Sequence, residues 1–346
     1  MSKDLPLPPE EFRKTFEALK AELATVIVGQ DDVVELLLAA FFAGGHVLLE
    51  GVPGLGKTLL AKSFAKTLGL SFRRVQCTPD LMPADIIGTE LVVDRDGRKV
   101  FEFAPGPVFT HLLLADEVNR ATPKTQSALL EAMAEHQVTV SGKTYQLEEP
   151  FFVIATQNPI EMEGVYTLPE AQLDRFVFRI FVTHPSAEEL GRILRQTTVA
   201  DVPAVRLVLP DERARDWILK AQRLVREVLV ARPIEEYVVK LVKATHPDGS
   251  ASDARPGEGD GRAGGAARRL VRYGASPRGA QAILMGAKVL ALVRGRVNVS
   301  FEDIDRVMLS ALNHRVILSF EAEAERRTAT EILRELTEPL RAHHRP

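Results

Sequence analysis

The chain contains one cysteine, Cys77, among its 346 residues, which excludes a disulfide framework and a thiolate metal site. Its eight histidines show no metal-ligand spacing. No apolar run approaches the length of a membrane span, and the opening residues, MSKDLPLPPE, contain no apolar signal-peptide core. We therefore expect a cytoplasmic protein in which Cys77 is a small buried residue.

The chain also lacks a strong excess of charge of either sign. It has 44 Lys and Arg against 47 Asp and Glu, and no long basic block. This balance makes nucleic acid an unexpected partner. Internal repeats are absent as well. A length of 346 residues with 45% hydrophobic content suits about two domains with substantial cores.

Residues 51–58 read GVPGLGKT, the complete pattern of a phosphate-binding loop. The apolar run 46–50 before it has strand character, and the residues after it have helical spacing. Backbone N–H groups and a helix dipole would therefore converge on one anion. We expect Lys57 to reach the β- and γ-phosphates of ATP and the Thr58 hydroxyl to ligate Mg²⁺. The predicted nucleotide-binding residues of this segment are Gly51, Pro53, Gly54, Leu55, Gly56, Lys57, Thr58 and Leu59.

Two carboxylates follow the apolar run 112–115. Beside a phosphate loop, the first acid typically holds Mg²⁺ and the second orients and deprotonates the attacking water. We therefore predict Asp116 as a metal ligand and Glu117 as the catalytic base. Paired acids after a strand also occur on ordinary surfaces, so this prediction depends on the loop beside them.

Further apolar runs at Phe72–Gln76, 112–115, 151–156 and 177–182 indicate buried parallel strands, with helices between them. Residues 88–108 and 137–147 each predict an inserted hairpin, which is either decoration or a pore or partner contact. After residue 185 the periodicity is helical, at 210–230, 233–244, Pro277–Val293, 301–313 and 321–336. We predict an α/β nucleotide-binding domain over 1–184 and a helical domain over 185–346, with a flexible glycine-rich insertion at 247–265.

Three other side chains carry weaker local signals. Asn158 could bond the lytic water or γ-phosphate, or simply form the Asn-Pro turn that the sequence favours. Arg175 could be part of a surface ion pair. Arg278 lies in the first turn of a helix after Ser276 and Pro277, where a cation opposes the helix dipole. That local cost indicates a nearby anion, which a bound triphosphate would supply.

Taken in order, GVPGLGKT, LLLADE, ATQNP, LPEAQLDRF and SPRGA resemble the AAA+ ATPases, and more narrowly the MoxR family. The stretch EMEGVYTLPEAQLDRF is the most family-specific piece. The resemblance covers residues 8–336, and the glycine-rich insertion departs from it. It implies a P-loop domain with a five-stranded parallel sheet and inserted β-hairpins, followed by a small all-α lid.

The resemblance also implies roles that spacing could not show. The chain would form a homo-oligomeric, hexameric ring with ATP between neighbours. Val28 and Gly29 would border the adenine, Asn158 would be sensor 1, and Arg278 would be sensor 2 and contact nucleotide. Arg175 would be the arginine finger that reaches the adjacent subunit. The hairpins would be the helix-2 insert and the pre-sensor-1 hairpin, both on the axial side of the ring.

Such proteins act as chaperone-like remodelling ATPases on protein clients, often beside a partner with a von Willebrand factor A domain. The alternative function is a nucleic-acid or chelatase-type motor, since relatives of that kind share the inserted hairpins. The weak negative charge counts against it. A non-hydrolysing nucleotide switch would require loss of the base or the finger, and Glu117 and Arg175 are both present.

Overall fold

A computed structural model describes residues 6–96, 98–160, 165–200, 203–209, 211–247 and 269–342. The predicted insertion at 247–265 therefore lies outside the described residues, apart from its first residue. The helices are α1 Pro9–Ala24, α2 Asp31–Phe42, α3 Lys57–Leu68, α4 Pro83–Ile87, α5 Pro123–Glu135, α6 Glu170–Leu173, α7 Ala187–Thr197, α8 Asp211–Glu227, α9 Arg232–Ala244, α10 Pro277–Val293, α11 Phe301–Leu312, α12 Phe320–Ala324 and α13 Ala329–Ala342. The strands are β1 His46–Glu50, β2 Phe72–Gln76, β3 Gly88–Arg95, β4 Arg98–Pro105, β5 Leu112–Asp116, β6 Gln137–Val140, β7 Lys143–Gln146, β8 Phe152–Gln157, β9 Phe176–Phe181, β10 Val271–Tyr273 and β11 Ile317–Leu318.

Five strands form one parallel sheet in the order β2-β5-β8-β1-β9, which confirms the predicted fold class. The central strands are short apolar runs because helices cover both faces of the sheet. Along β5, Leu112 and Leu114 join one hydrophobic cluster, and Leu113 and Ala115 join the other. Each predicted strand lies within one residue of the observed one.

An aromatic cluster fixes the helices on one face of the sheet. Phe41 of α2 meets Phe64 of α3 and Phe152 of β8 edge to face, with ring centroids 5.4 and 5.2 Å apart. Edge-to-face pairs of this kind add roughly 0.5–1.5 kcal/mol each beyond the area that they bury. This packing holds α3, and with it the preceding glycine loop, at a fixed position over the sheet.

Both predicted hairpins are present, as β3–β4 and β6–β7. They contact each other: the ring of Phe103 stacks on Tyr145 with centroids 3.9 Å apart, and Lys143 pairs with Glu90 at 2.9 Å. Phe101, in the middle of β4 and paired with Val92, has an exposed fraction of 72%. The two insertions are therefore one connected unit with an aromatic side chain exposed on β4.

The second part of the chain is mainly helical, as predicted, and it also contains the short antiparallel pair β10–β11. Its central helix, α10, lies directly on the sheet, because a Cβ at Gly286 would be only 2.4 Å from the Phe178 ring of β9. The prediction of one helix over 321–336 was wrong. Arg326 adopts a φ of 56°, which ends α12, and α13 begins separately three residues later. None of the described helices is both long and apolar enough to cross a membrane.

Candidate functional site

The predicted phosphate loop connects β1, all of whose residues are buried, to the start of α3. Gly54 and Gly56 have φ values of 83° and 77°, and no heavy atom lies within 4 Å of a Cβ built on either residue. Glycine is needed there for conformation, since a left-handed residue with a Cβ costs roughly 1–2 kcal/mol. The space beside the loop stays open, as the approach of a phosphate requires.

Lys57 is buried at the first position of α3. Its ammonium donates to the carbonyl of Gly51 and, at 3.1 Å, to that of Val52. The cation therefore lies on the concave side of the loop that precedes it. Phosphate oxygens accept from an ammonium more strongly than neutral carbonyls do, so a bound triphosphate can take over these hydrogen bonds.

Asp116 brings three elements together at the carboxyl end of β5. Its Oδ2 accepts from the Thr58 hydroxyl at 3.2 Å, and its Oδ1 accepts from the Thr156 hydroxyl at 2.6 Å. Arg74 of β2 also donates to Oδ2, at 2.8 Å. A hydroxyl and a carboxylate oxygen side by side are the hard oxygen donors that Mg²⁺ prefers, so Thr58 and Asp116 fit the predicted metal ligands.

Glu117, the predicted base, follows with a φ of 56°, an unusual value for a residue with a long side chain. Its N–H donates to Thr156 Oγ1 at 2.8 Å. Its carboxylate accepts from Gln76 at 2.9 Å and from Arg120 at 3.2 Å. Strained backbone of this kind clusters where function demands it, and here the hydrogen bonds hold it in place.

Next to these acids, burial together with the charges of Asp116 and Glu117 raises the pKa of the Cys77 thiol to about 12. Cys77 is therefore a neutral thiol, and the prediction that it is buried is confirmed.

Asn158 lies at the same edge of the sheet as the loop, since Gln157 before it pairs with Glu50 of β1. The side chain is buried, and its Oδ1 accepts from the N–H of Ile160 at 3.2 Å. This is the turn that the sequence favoured. The amide of Asn158 is thus fixed at the carboxyl edge, where the phosphate loop and both acids also lie.

Val28 and Gly29 reach this edge as well. Gly29 has a φ of 72°, and a Cβ built on it would overlap the Glu189 carboxyl group of α7. The next residue, Gln30, donates to the carbonyl of Thr183 at 2.9 Å, just after β9. The loop predicted to border the adenine is therefore held between the end of the sheet and α7.

Arg175 and Arg278 lie at the opposite edge. Arg175 immediately precedes β9, whose first residue pairs with His46 at the start of β1. The phosphate loop follows the end of β1. Five strand residues at about 3.3 Å each separate the two edges by roughly 17 Å. The structure therefore does not bring either arginine to the phosphate loop of its own chain.

Asp174 joins the two arginines. It accepts from the Ser276 hydroxyl at 2.9 Å and from Arg315 Nε at 2.7 Å, and it lies 4.0 Å from Arg278. The position of Arg278 in its helix predicted a nearby anion. Within one chain, that anion is the carboxylate of Asp174. Arg175, Arg278 and Arg315 line one cavity of about 260 Å³. Burial lowers the pKa of Arg315, and Asp174 opposes that shift.

Sequence reasoning missed Arg74, Gln76, Thr156, Asp174 and Arg315. Thr156 and Asp174 lie inside the quoted motifs ATQNP and LPEAQLDRF and could have been noticed there. Arg74, Gln76 and Arg315 carry no local signal, because their partners are at least 40 residues away along the chain.

Comparisons with known proteins agree with this geometry. A family model described as "ATPase family associated with various cellular activities (AAA)" matches residues 46–178, and one described as "AAA lid domain" matches residues 265–336. Chaperone MoxR1 of Mycobacterium tuberculosis is 44% identical over 90% of this chain and 78% of its own length. Protein MoxR of Methylorubrum extorquens is 34% identical over 89% of each chain.

Solved structures give the same result. The crystal structure of a candidate ATPase from Cytophaga hutchinsonii superposes with a TM-score of 0.83 at 39% identity, covering 95% of both chains. An MCM homologue from Methanopyrus kandleri, at 19% identity and a TM-score of 0.55, shares the fold alone. With relatives this similar over most of its length, the chain belongs to the MoxR family of AAA+ ATPases.

Proposed function

We propose that this protein hydrolyses ATP at sites shared between neighbouring copies in a hexameric ring, and uses the energy to remodel protein clients. The observation that carries the proposal is the separation of the site into two edges. The phosphate loop and both acids lie at the carboxyl edge of the sheet, and Arg175 lies at the amino edge, roughly 17 Å away. The guanidinium of Arg175 can therefore reach only the γ-phosphate that is bound to another copy.

At the carboxyl edge, Lys57 and the loop amides bind the phosphates, Glu117 takes a proton from the attacking water, and Asn158 orients it. Mg²⁺ held by Thr58 and Asp116 supplies charge neutralisation of the phosphates when bound. Val28 and Gly29 border the adenine. From the neighbouring copy, Arg175 stabilises the developing charge, and Arg278, fixed beside it through Asp174, approaches the same nucleotide.

The remodelling role is supported by the relative named as a chaperone and by the exposed Phe101 on β4 of the paired hairpins. An aromatic side chain left in solvent on an inserted hairpin suits contact with a client. The family resemblance further supports a partner with a von Willebrand factor A domain. The domain boundary near residue 184 is part of the same proposal, with residues 185–346 as the lid.

Mixing two inactive variants tests the shared site. Arg175→Ala lacks the finger, and Glu117→Gln lacks the base; an arginine finger is worth roughly 10³–10⁵ in rate. Each variant alone should bind ATP and hydrolyse almost none. In a mixture, the phosphate loop of an Arg175→Ala copy meets the intact Arg175 of a Glu117→Gln copy, so hydrolysis should return.

Failure of the mixture to regain activity, with both variants assembled, would rule out a shared site. Salt-sensitive stimulation of turnover by DNA would instead favour the nucleic-acid motor. Calorimetry of ATP binding with and without Mg²⁺, on the wild type and on Asp116→Asn, tests the metal ligands without depending on hydrolysis.

A further inference from the structure

Helix α7 carries an apolar stripe that the described part of the chain leaves uncovered. No residue of Ala187–Thr197 is buried, although the helix is strongly amphipathic. Leu190 and Leu194, one turn apart, have exposed fractions of 48% and 54%. Two adjacent leucines half in solvent lose much of the stabilisation that burial would provide, about 1.5–3 kcal/mol for each side chain.

The stripe is not the side by which α7 rests on its own chain. The partly buried side chains are Glu189, Ile193 and Gln196, which recur at helical spacing and define the side that faces the protein. With roughly 100° between successive residues, Leu190 and Leu194 lie about a quarter turn or more from that side. The leucines therefore project sideways, along the surface.

Composition argues against a cover from the glycine-rich segment. Residues 248–268 contain no Leu, Ile, Val, Met or aromatic side chain that could pack on the leucines. An apolar stripe needs an apolar partner, so the glycine-rich segment is not the occupant.

The position of α7 indicates the occupant. The helix begins beside Gly29, with Glu189 against that glycine, so it stands at the phosphate-loop edge. We call the amino edge of the sheet, where Arg175 lies, the arginine edge. For Arg175 of one copy to reach the nucleotide of the next, the arginine edge must approach the phosphate-loop edge. The arginine edge carries an exposed Tyr273, which pairs with Ile317, two residues after Arg315 of the arginine cavity.

We propose that the Leu190–Leu194 stripe packs against the arginine edge of a second copy, next to its Tyr273. This rests on the proposed shared site and adds the apolar contact that aligns it. The contact joins two different surfaces, and such head-to-tail contacts close into rings when the rotation allows. The stripe would then set how closely the finger approaches the phosphate.

Paired cysteines test the contact directly. The native thiol of Cys77 is buried with a pKa raised to about 12, so introduced cysteines would react first. With a short bis-maleimide, Leu194→Cys combined with Tyr273→Cys should give a ladder of cross-linked multimers. Either single variant should give none, because the two surfaces differ. The matched control combines Leu194→Cys with Val239→Cys, which is equally exposed on α9 and outside the proposed contact.

A charge on the stripe provides a second, functional test. Leu194→Glu should lower the rate of hydrolysis by about tenfold or more, which corresponds to a loss of about 1.4 kcal/mol. ATP affinity measured by calorimetry should change little. Its arginine edge remains intact. Mixing it with Arg175→Ala should therefore restore hydrolysis, and mixing it with Glu117→Gln should not.

The outcomes separate this proposal from the shared site itself. Cross-linking of Leu194→Cys alone into dimers would overturn it in favour of a symmetric contact. The proposal would also be overturned if the double variant gave no ladder, or if rings of Leu194→Glu hydrolysed ATP at the wild-type rate. Either result would count against the stripe even if Arg175 acts between copies. If the wild type bound no ATP, the proposed function would fail first, and calorimetry would show that independently.

Discussion

Asp174→Asn keeps the size of the side chain and removes the charge that faces a buried guanidinium. Arg315 has a side chain only 3% exposed, and its Nε donates to Asp174 Oδ1 at 2.7 Å. Without the carboxylate, Arg315 keeps its bonds to backbone carbonyls, including that of Phe176 at 2.7 Å, but has lost its counter-charge. Breaking a buried pair in this way costs about 3–5 kcal/mol.

Asp174 itself is 20% exposed, so water compensates part of the loss and we expect the lower end, about 3 kcal/mol. For units of 150–250 residues this lowers Tm by about 6–12 °C. Scanning calorimetry should show that fall. The matched control is Glu102→Gln, which removes a charge from an exposed pair with Arg95 and should change stability by no more than about 0.5 kcal/mol.

A second readout connects this pair to catalysis. Asp174, which immediately precedes Arg175 in the chain, also accepts from the hydroxyl of Ser276, two residues before Arg278. We expect Asp174→Asn to lower turnover with little effect on ATP affinity, because the phosphate loop lies at the other edge. If Asp174→Asn and Glu102→Gln melt at the same temperature, Asp174 does not hold Arg315 as described.

Two further predictions concern buried groups. Burial lowers the pKa of His46 from 6.5 to about 4. Between these two pH values the unfolded chain binds more protons than the folded one. The free energy of unfolding should therefore fall as pH decreases from about 6.5 to 4. Urea unfolding measures it, His46→Gln should flatten the slope, and a flat wild-type profile would contradict the reasoning. Gly286→Ala should destabilise by about 1–3 kcal/mol, because its Cβ would meet Phe178 at 2.4 Å. Gly191→Ala, in a helix with no atom nearer than 3.5 Å, should be neutral or stabilising, and equal Tm changes in the two variants would refute the packing argument.

The parts of the site predicted from sequence are those encoded by neighbouring residues. The loop needs φ > 0 at Gly54 and Gly56, and glycine is the residue that adopts such values readily, so the sequence itself indicates the conformation. Likewise, Asp116 and Glu117 end an uninterrupted apolar strand. Strand positions were predictable for the same reason, because a fully buried parallel strand is a short continuous apolar run.

The location of the arginines could not be read in that way. Arg175 and Arg278 line one cavity, in which Asp174 bonds Ser276 and Arg315 across the fold, and periodicity does not report such pairings. The break at Arg326 did have a local signal. Thr328 and Glu331 form a reciprocal capping box, with N–H to side-chain bonds of 3.2 and 2.8 Å, which begins a new helix.

If the chain acts on clients in a ring as proposed, the stacked hairpins connect the client-contacting surface to the catalytic site. A load on Phe101 passes along β4 to Phe103, across the ring stack to Tyr145, and through the β6–β7 ribbon into α5. That helix starts a few residues after Glu117, joined to it by a single turn of 3₁₀ helix. The hairpins and Glu117, the proposed base, are therefore connected through one short stretch of backbone. In the proposed mechanism, a client that resists movement would displace Glu117 and slow hydrolysis.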